Sequence, residues 1–202
     1  MGIRYDKSKD KYARIASRIV TGNSSNVNQS EEFKKAGLQM KTIRIEKNGL
    51  IKEAMSFENI DYHEVLETED WEDSRLYEIF TGRFLFVIFR ADGGSFKYFD
   101  SKKNQYVEEK SYSLESVYFW TMPTEDIALA EQYWNHIRQT IQDNHIDPKY
   151  FNSPQNERFH VRPKGKNSSD LVDNPHGGKV KKYCYWFNKE YVREIVNNHG
   201  TK

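Results

Sequence analysis

The chain has 202 residues, 37% of them hydrophobic and 14% aromatic, enough to bury a sizeable core and expected to form one globular domain over 1–202. Its formal net charge of +1 excludes a protein that coats nucleic acid by bulk positive charge, so any such binding must come from a local patch. No run of about eighteen apolar residues occurs, the start Met1-Gly2-Ile3-Arg4-Tyr5-Asp6-Lys7 lacks a signal-peptide core, and Cys184 is the single cysteine, so the expectation is a cytoplasmic protein without membrane span, internal disulfide or cysteine-based zinc site.

From Asp6 to Val20, the apolar positions Tyr12, Ile15, Ala16 and Ile19 recur at helical spacing, with Lys and Arg on the outer face, until Gly22-Asn23-Ser24-Ser25-Asn26 breaks the pattern. Ser30 before Glu31 and Glu32 reads as the cap of a short helix that Gly37 ends. A strand follows from Leu38 to Glu46, Asn48-Gly49 predicts a hairpin turn, and Leu50 to Tyr62 is expected to return antiparallel to it. Trp71 to Phe80 reads as a helix closed by Gly82. Phe84 to Phe89 is apolar on both faces, as a central strand would be. Asp92-Gly93-Gly94 and Lys102-Lys103-Asn104 suggest turns of an exposed hairpin over 92–110, and Ser116 to Thr121 a further buried strand. Pro123 opens the longest helix, to about Asn144, with Ile127, Ala130, Trp134, Ile137 and Ile141 on one face. Strands are expected at Phe159 to Pro163 and Lys182 to Phe187, separated by a long Gly- and Lys-containing loop, and Asn188 is expected to cap a last helix through Val196.

Glu32-Phe33-Lys34-Lys35-Ala36-Gly37-Leu38-Gln39-Met40-Lys41 reads like a metal-dependent nuclease site of the PD-(D/E)XK type in which one acid is missing. In such a site one acid precedes a strand, and a second acid and a lysine lie two apart on it, sharing a face because side chains alternate. The carboxylates hold Mg²⁺, and the lysine orients the attacking water or offsets developing charge. Gln39 stands where the second carboxylate belongs. As an isolated motif it is weak, because charged residues near a strand are common.

His160-Val161-Arg162-Pro163-Lys164-Gly165-Lys166-Asn167, followed by His176-Gly177-Gly178-Lys179-Val180-Lys181-Lys182, concentrates basic residues in an otherwise neutral chain. His160 and Arg162 share a strand face, and Pro163 ends the ladder by withholding a donor. Arginine and lysine can bond guanine or phosphate and asparagine can bond adenine, so the segment suits base-edge readout beside backbone contacts; a solvated basic loop is the competing reading. Tyr183-Cys184-Tyr185-Trp186-Phe187-Asn188 is an aromatic strand whose ordinary role is core, though an alternate face could stack on sugar or touch a thymine methyl. The six histidines show no metal-ligand spacing, and only His160 has a suggestive context.

Taken in order, G-L-Q-M-K-T-I-R-I with its N-G turn, H-V-R-P-K-G-K-N-S-S-D and K-Y-C-Y-W-F-N-K-E-Y resemble the MutH family of GATC-directed endonucleases, which includes the Sau-type type II restriction enzyme. The resemblance runs from about Ala13 to Val196. It implies a restriction-endonuclease-like α/β fold, a central mixed sheet flanked by helices that clamps duplex DNA in a cleft. Active members carry D-x6-E-x-K; here Glu32 and Gln39 occupy the acid positions and Lys41 alone matches. The family's base-reading arginine and lysine fall on Arg162 and Lys164, and Trp186 takes the place of a methylation-sensing tyrosine. The resemblance further implies a DNA-binding surface of His160, Arg162, Lys164, Lys166, Asn167, Lys179, Lys181 and Trp186. The Sau-type enzyme is considerably longer, so the chain resembles its C-terminal, second MutH-like domain. The expectation is a non-catalytic module that holds no metal, serves a parent enzyme using Mg²⁺, binds GATC duplex and assists an N-terminal catalytic domain, with a dimer on DNA possible. The alternative is an active endonuclease whose metal site Glu31 or Glu32 rebuilds with Glu46 or Glu53.

Overall fold

The computed structural model describes residues 11–22, 26–100, 103–152 and 156–199. The expected helix start at 6–10, part of the break at 23–25 and the turn residue Lys102 lie outside them. The chain divides into two compact units, each built from two stretches: 1–52 with 82–121, and 53–81 with 122–202.

In the first unit, helix α1 (Lys11–Thr21), a 3-10 turn (Val27–Gln29) and helix α2 (Glu31–Lys35) precede strand β1 (Leu38–Ile45). Ser30 caps α2 as expected, its hydroxyl accepting from the Phe33 N–H at 3.3 Å, and Gly37 leaves the helix at φ +58°. Two long strands of this unit, β3 (Arg83–Asp100) and β4 (Gln105–Trp120), complete a mixed sheet in the order β1-β3-β4, with β1 parallel to β3 and β4 antiparallel to it. One sheet face meets the helices: Tyr12, Ala16, Val27, Phe33, Met40, Leu85, Val87 and Phe89 form a single buried cluster. Phe84, Phe86 and Ile88 alternate to the other face and are buried too, which explains a strand apolar on both sides.

Four expectations for this unit are corrected. Ile19 is 48% exposed, because Tyr12 and Ala16 already fill the helix-to-sheet contact. The Asn48-Gly49 turn forms, but the chain beyond it makes only an isolated bridge, Ile45 to Ile51, and β1 takes β3 as its partner instead. Gly93, at φ +87°, belongs to an irregularity between Ala91 and Ser95 within β3, so a bulge stands where a turn was expected. The segment 116–121 is a strand but not a buried one: β4 is an edge, leaving Val117 44% and Phe119 55% exposed.

In the second unit, strand β2 (Met55–Asn59) is followed by helix α3 (Tyr62–Glu67), a 3-10 turn (Trp71–Asp73) and helix α4 (Arg75–Thr81), so the single helix expected over 71–80 is split at Ser74. Helix α5 (Thr124–Gln142) is the long helix opened by Pro123, and α6 (Pro148–Phe151) adds one turn. Strand β5 (Phe159–Pro163) has its expected bounds; strands β6 (Leu171–Asp173) and β7 (Lys179–Lys181) form a small hairpin inside what read as loop; strand β8 (Tyr183–Phe187) and helix α7 (Lys189–His199) end the unit. The sheet is antiparallel in the order β2-β8-β5. Its inner face carries Phe57, Phe159 and Phe187, which meet Phe80 of α4 and Tyr191 of α7, with Phe57 and Phe187 centroids 4.5 Å apart. Arg158 at the foot of β5 pairs with Asp126 of α5 at 2.8 Å and Glu194 of α7 at 3.1 Å, while Tyr191 donates to Asp126 at 2.6 Å. Among the described residues no helix is long and apolar enough to cross a membrane.

Candidate nucleic-acid interface

In the first unit, Gln39 and Lys41 lie at alternate positions of β1, half-buried, in parallel register with Phe84 and Phe86. Alternation therefore puts them on one face, as the strand pattern required. Glu32 lies on α2, the helix that precedes the strand. Its helix buries Phe33 in the cluster that contains Met40, on the opposite face of β1, and Glu32 itself is exposed. A hard divalent cation seeks several oxygen ligands, preferably carboxylates. An amide, an ammonium and one exposed carboxylate do not make that donor set, and among the described residues no three His, Cys, Asp or Glu side chains gather into one. Magnesium does not fit this strand.

Glu46 offers no replacement. It too alternates onto the Met40 face, where it forms an ion pair with Lys110, lies 3.6 Å from Lys52 and accepts from the Tyr112 hydroxyl at 3.0 Å. The Lys110 bond is the leading cause that holds its carboxyl below the usual range. Glu46 is thus committed to a surface network.

In the second unit, the outer face of the β2-β8-β5 sheet gathers three residues of the basic segment around Trp186 of the aromatic strand. His160 pairs across the ladder with Trp186, their rings 6.2 Å apart and inclined by 19°. Arg162 lies over the Trp186 ring at 5.4 Å and Lys164 at 4.8 Å. The π face of an indole attracts cations, so Trp186 seats both without neutralising either. The aromatic-core reading of 183–187 holds for Tyr183, Tyr185 and Phe187, which are buried, while Trp186 alternates outward.

His160 is half-buried, and among the described residues neither its ring nitrogens nor the buried Trp186 indole N–H meets a hydrogen-bond partner within normal geometry. Burial, reinforced by the Arg162 charge, lowers the His160 pKa to about 4, and nearby Asn188 and Glu190 offset this only in part. His160 is therefore neutral near pH 7 and offers a donor and an acceptor, not a charge.

The remaining candidates sit in the loop and hairpin. Lys166 and Asn167 are exposed, and their turn is anchored by Asp170, which accepts from the Lys166 N–H at 2.8 Å and pairs with Lys182. The Lys166 N–H is the first cause of the lowered Asp170 carboxyl pKa, with Lys182 the next. The Asn167 side-chain oxygen accepts from the Ser169 N–H at 2.9 Å, so part of its bonding capacity shapes the turn. Lys179 pairs with Asp173 across the hairpin at 2.7 Å, and Lys181 is exposed while its carbonyl accepts from the Tyr62 hydroxyl at 2.8 Å.

Ser56 joins the Trp186 cluster without having been expected there. It faces Trp186 across the ladder, and Lys164 donates to its hydroxyl at 2.9 Å. No local signal marks it, since its place depends on β2 pairing with a strand about 130 residues later.

A family model described as the DNA mismatch repair enzyme MutH matches residues 21–92, which include α2 and β1 but not the basic segment. The type II restriction enzyme Sau3AI of Staphylococcus aureus is 25% identical over 217 aligned residues. That alignment takes in 94% of this chain and 41% of the restriction enzyme, so the chain spans about two fifths of that relative's length. With the mixed α/β architecture, these likenesses give the chain a restriction-endonuclease-like fold and support its kinship with the MutH/Sau-type enzymes.

Proposed function

We propose that the chain is a DNA-binding, non-catalytic domain of a type II restriction endonuclease that recognises GATC duplex and assists the catalytic domain of its parent enzyme. One observation carries the reading: Arg162 and Lys164 are held as charged side chains over Trp186 on a sheet face, beside the neutral His160. Such a surface presents one bidentate donor and one point charge to phosphate or a guanine edge. Gln39 supports the second half of the reading, because an uncharged amide can neither bind Mg²⁺ as a carboxylate does nor be ionised to do so. Magnesium belongs, in this reading, to the parent's catalytic domain, and the compartment is the cytoplasm where its DNA target lies. Two copies on one duplex would give each strand of a palindromic site the same reader.

A gel-shift titration with a GATC duplex and a scrambled duplex of equal length tests the reading. Tighter binding of the GATC duplex is the expected result, with a salt slope that counts phosphate contacts. Equal binding of both would reject GATC recognition. Sedimentation with the GATC duplex distinguishes a DNA-bound dimer from a monomer. The opposing reading, a rebuilt Mg²⁺ site, finds no support at Glu46, whose partners are Lys110, Lys52 and Tyr112.

A further inference from the structure

Strand β5 is an edge strand, and the residue between His160 and Arg162 is Val161, whose side chain is buried. Its backbone groups do not reach a neighbouring strand on the outer side. They meet one side chain: the Val161 N–H donates to Asn152 Oδ1 at 2.7 Å, and Asn152 Nδ2 donates to the Val161 carbonyl at 3.0 Å. A primary amide has the same donor and acceptor pair as a peptide unit, so Asn152 completes the ladder for one residue. Asn152 is itself fixed, because its N–H closes α6 onto the Pro148 carbonyl at 3.0 Å and the preceding Phe151 is fully buried.

The same device occurs on β1, also an edge. Met40, between Gln39 and Lys41, donates its N–H to Asn28 Oδ1 at 2.7 Å and accepts from Asn28 Nδ2 at 3.1 Å. Asn28 likewise follows a buried residue, Val27, in a single helical turn, and the Asn26 side chain accepts from its N–H at 3.2 Å. In each unit, then, an asparagine bonds both backbone groups of the residue that separates two candidate side chains sharing one strand face. An unpinned edge strand can twist or fray, and a small backbone rotation displaces the tip of an arginine by far more. The recurrence in two independent sheets argues against an incidental contact.

We propose that Asn152 is a positioning residue for DNA recognition: by clamping the Val161 peptide groups it holds His160, Arg162 and Lys164 in place on Trp186. The proposal rests on the DNA-binding reading for its consequence, but the positioning itself is measurable without DNA. In this proposal Asn152 acts through β5, by its two bonds to Val161, and not by contact with DNA.

The test compares the wild-type chain with Asn152→Ala, Asn152→Asp and Asn28→Ala by NMR and by duplex binding. In the wild type the Val161 amide should be protected from hydrogen exchange, and the Arg162 and Lys164 side-chain protons should carry ring-current shifts from Trp186. Asn152→Ala should lose both signatures while the core methyl spectrum persists. Asn152→Asp, which keeps the acceptor and loses the donor, should fall between. Asn28→Ala should leave the Trp186 signatures unmoved. With DNA, Asn152→Ala should lower the ratio of GATC to scrambled affinity by about tenfold while leaving the salt slope as it was. Unchanged ring-current shifts in a folded Asn152→Ala chain would overturn the positioning role. Should Asn152→Ala fail to fold, full Arg162 and Lys164 ring-current shifts in Asn152→Asp would overturn it equally. A wild type that binds both duplexes alike would refute the GATC reading, and the NMR result would still decide the role of Asn152.

Discussion

Strand β1 of the first unit and strand β5 of the second are built on one plan and have come to different chemical ends. Each lies at the edge of its sheet, each presents two polar side chains on alternate positions, and each has the intervening residue clamped by an asparagine amide. On β1 those side chains are Gln39 and Lys41, with the acid-bearing helix α2 packed on the other face. On β5 they are His160 and Arg162, backed by an outward-turned Trp186. The backbone framework for positioning side chains is present in both. Gln39 puts an amide where a metal site would want a carboxylate on β1, whereas Arg162 of β5 and the adjoining Lys164 lie over an indole face. The two edges thus share a clamped backbone and differ in the side chains that it carries.

Several outcomes would break or sharpen this contrast. The largest concerns the scaffold. Phe187 is fully buried against Phe57, Phe80, Phe159 and Tyr191, so Phe187→Ala should destabilise the second unit by about 3–5 kcal/mol in thermal or denaturant unfolding, whatever happens to DNA contacts. A cost below ~1 kcal/mol would mean that this core does not support the β5 face.

Next comes the reader itself. Arg162→Ala should remove about 1–3 kcal/mol of GATC-specific affinity and relax discrimination, measured by competition titration, while Lys41→Ala on β1 should change it less. The reverse order would move the recognition surface to the first unit. Trp186→Leu, which keeps bulk but removes the π face under Arg162 and Lys164, should cost about 0.5–1 kcal/mol of affinity for each displaced cation. An unchanged affinity would leave the indole as packing alone.

The smallest effect is a pH dependence. The His160 pKa is lowered in the folded chain to about 4 from an ordinary value of 6.5, so between those values the unfolded state binds the extra proton. Its contribution to stability is therefore complete above about pH 6.5 and shrinks as pH falls toward 4. Subtracting the unfolding curves of His160→Gln from those of the wild type should isolate a difference that grows with pH across that window. A difference that is flat or runs the other way would show that the ring is not held neutral.

Much of this was legible in the residues, for identifiable reasons. Phe159–Pro163 reads as a strand because an apolar alternation stops at a proline, and the Ser30 and Gly37 boundaries follow from side-chain and backbone preferences that act within a few residues. The pairing of β1 was not legible. Asn48-Gly49 makes its turn, yet the continuation pairs with β8 instead, and a parallel partner some 45 residues away leaves no local mark. Burial of 116–121 was overstated because apolar content cannot tell an edge strand from a central one. The hairpin of β6 and β7 is not legible since three-residue strands carry too little alternation, although Gly177 and Gly178, both at positive φ, mark its turn. In the candidate site, Arg162 and Lys164 stood out by charge. Ser56, Asn28 and Asn152 did not, because polar residues of common type gain their roles only through strands brought beside them by folding.

The proposed division between a silent β1 and a reading β5 meets its most direct test in a single incubation of the chain with supercoiled plasmid carrying GATC sites, in Mg²⁺, followed by electrophoresis before and after protein removal. Retarded migration that returns entirely to the supercoiled position is the expected result. Nicked or linear plasmid after protein removal, lost in Lys41→Ala, would contradict it and restore β1 as a working nuclease strand.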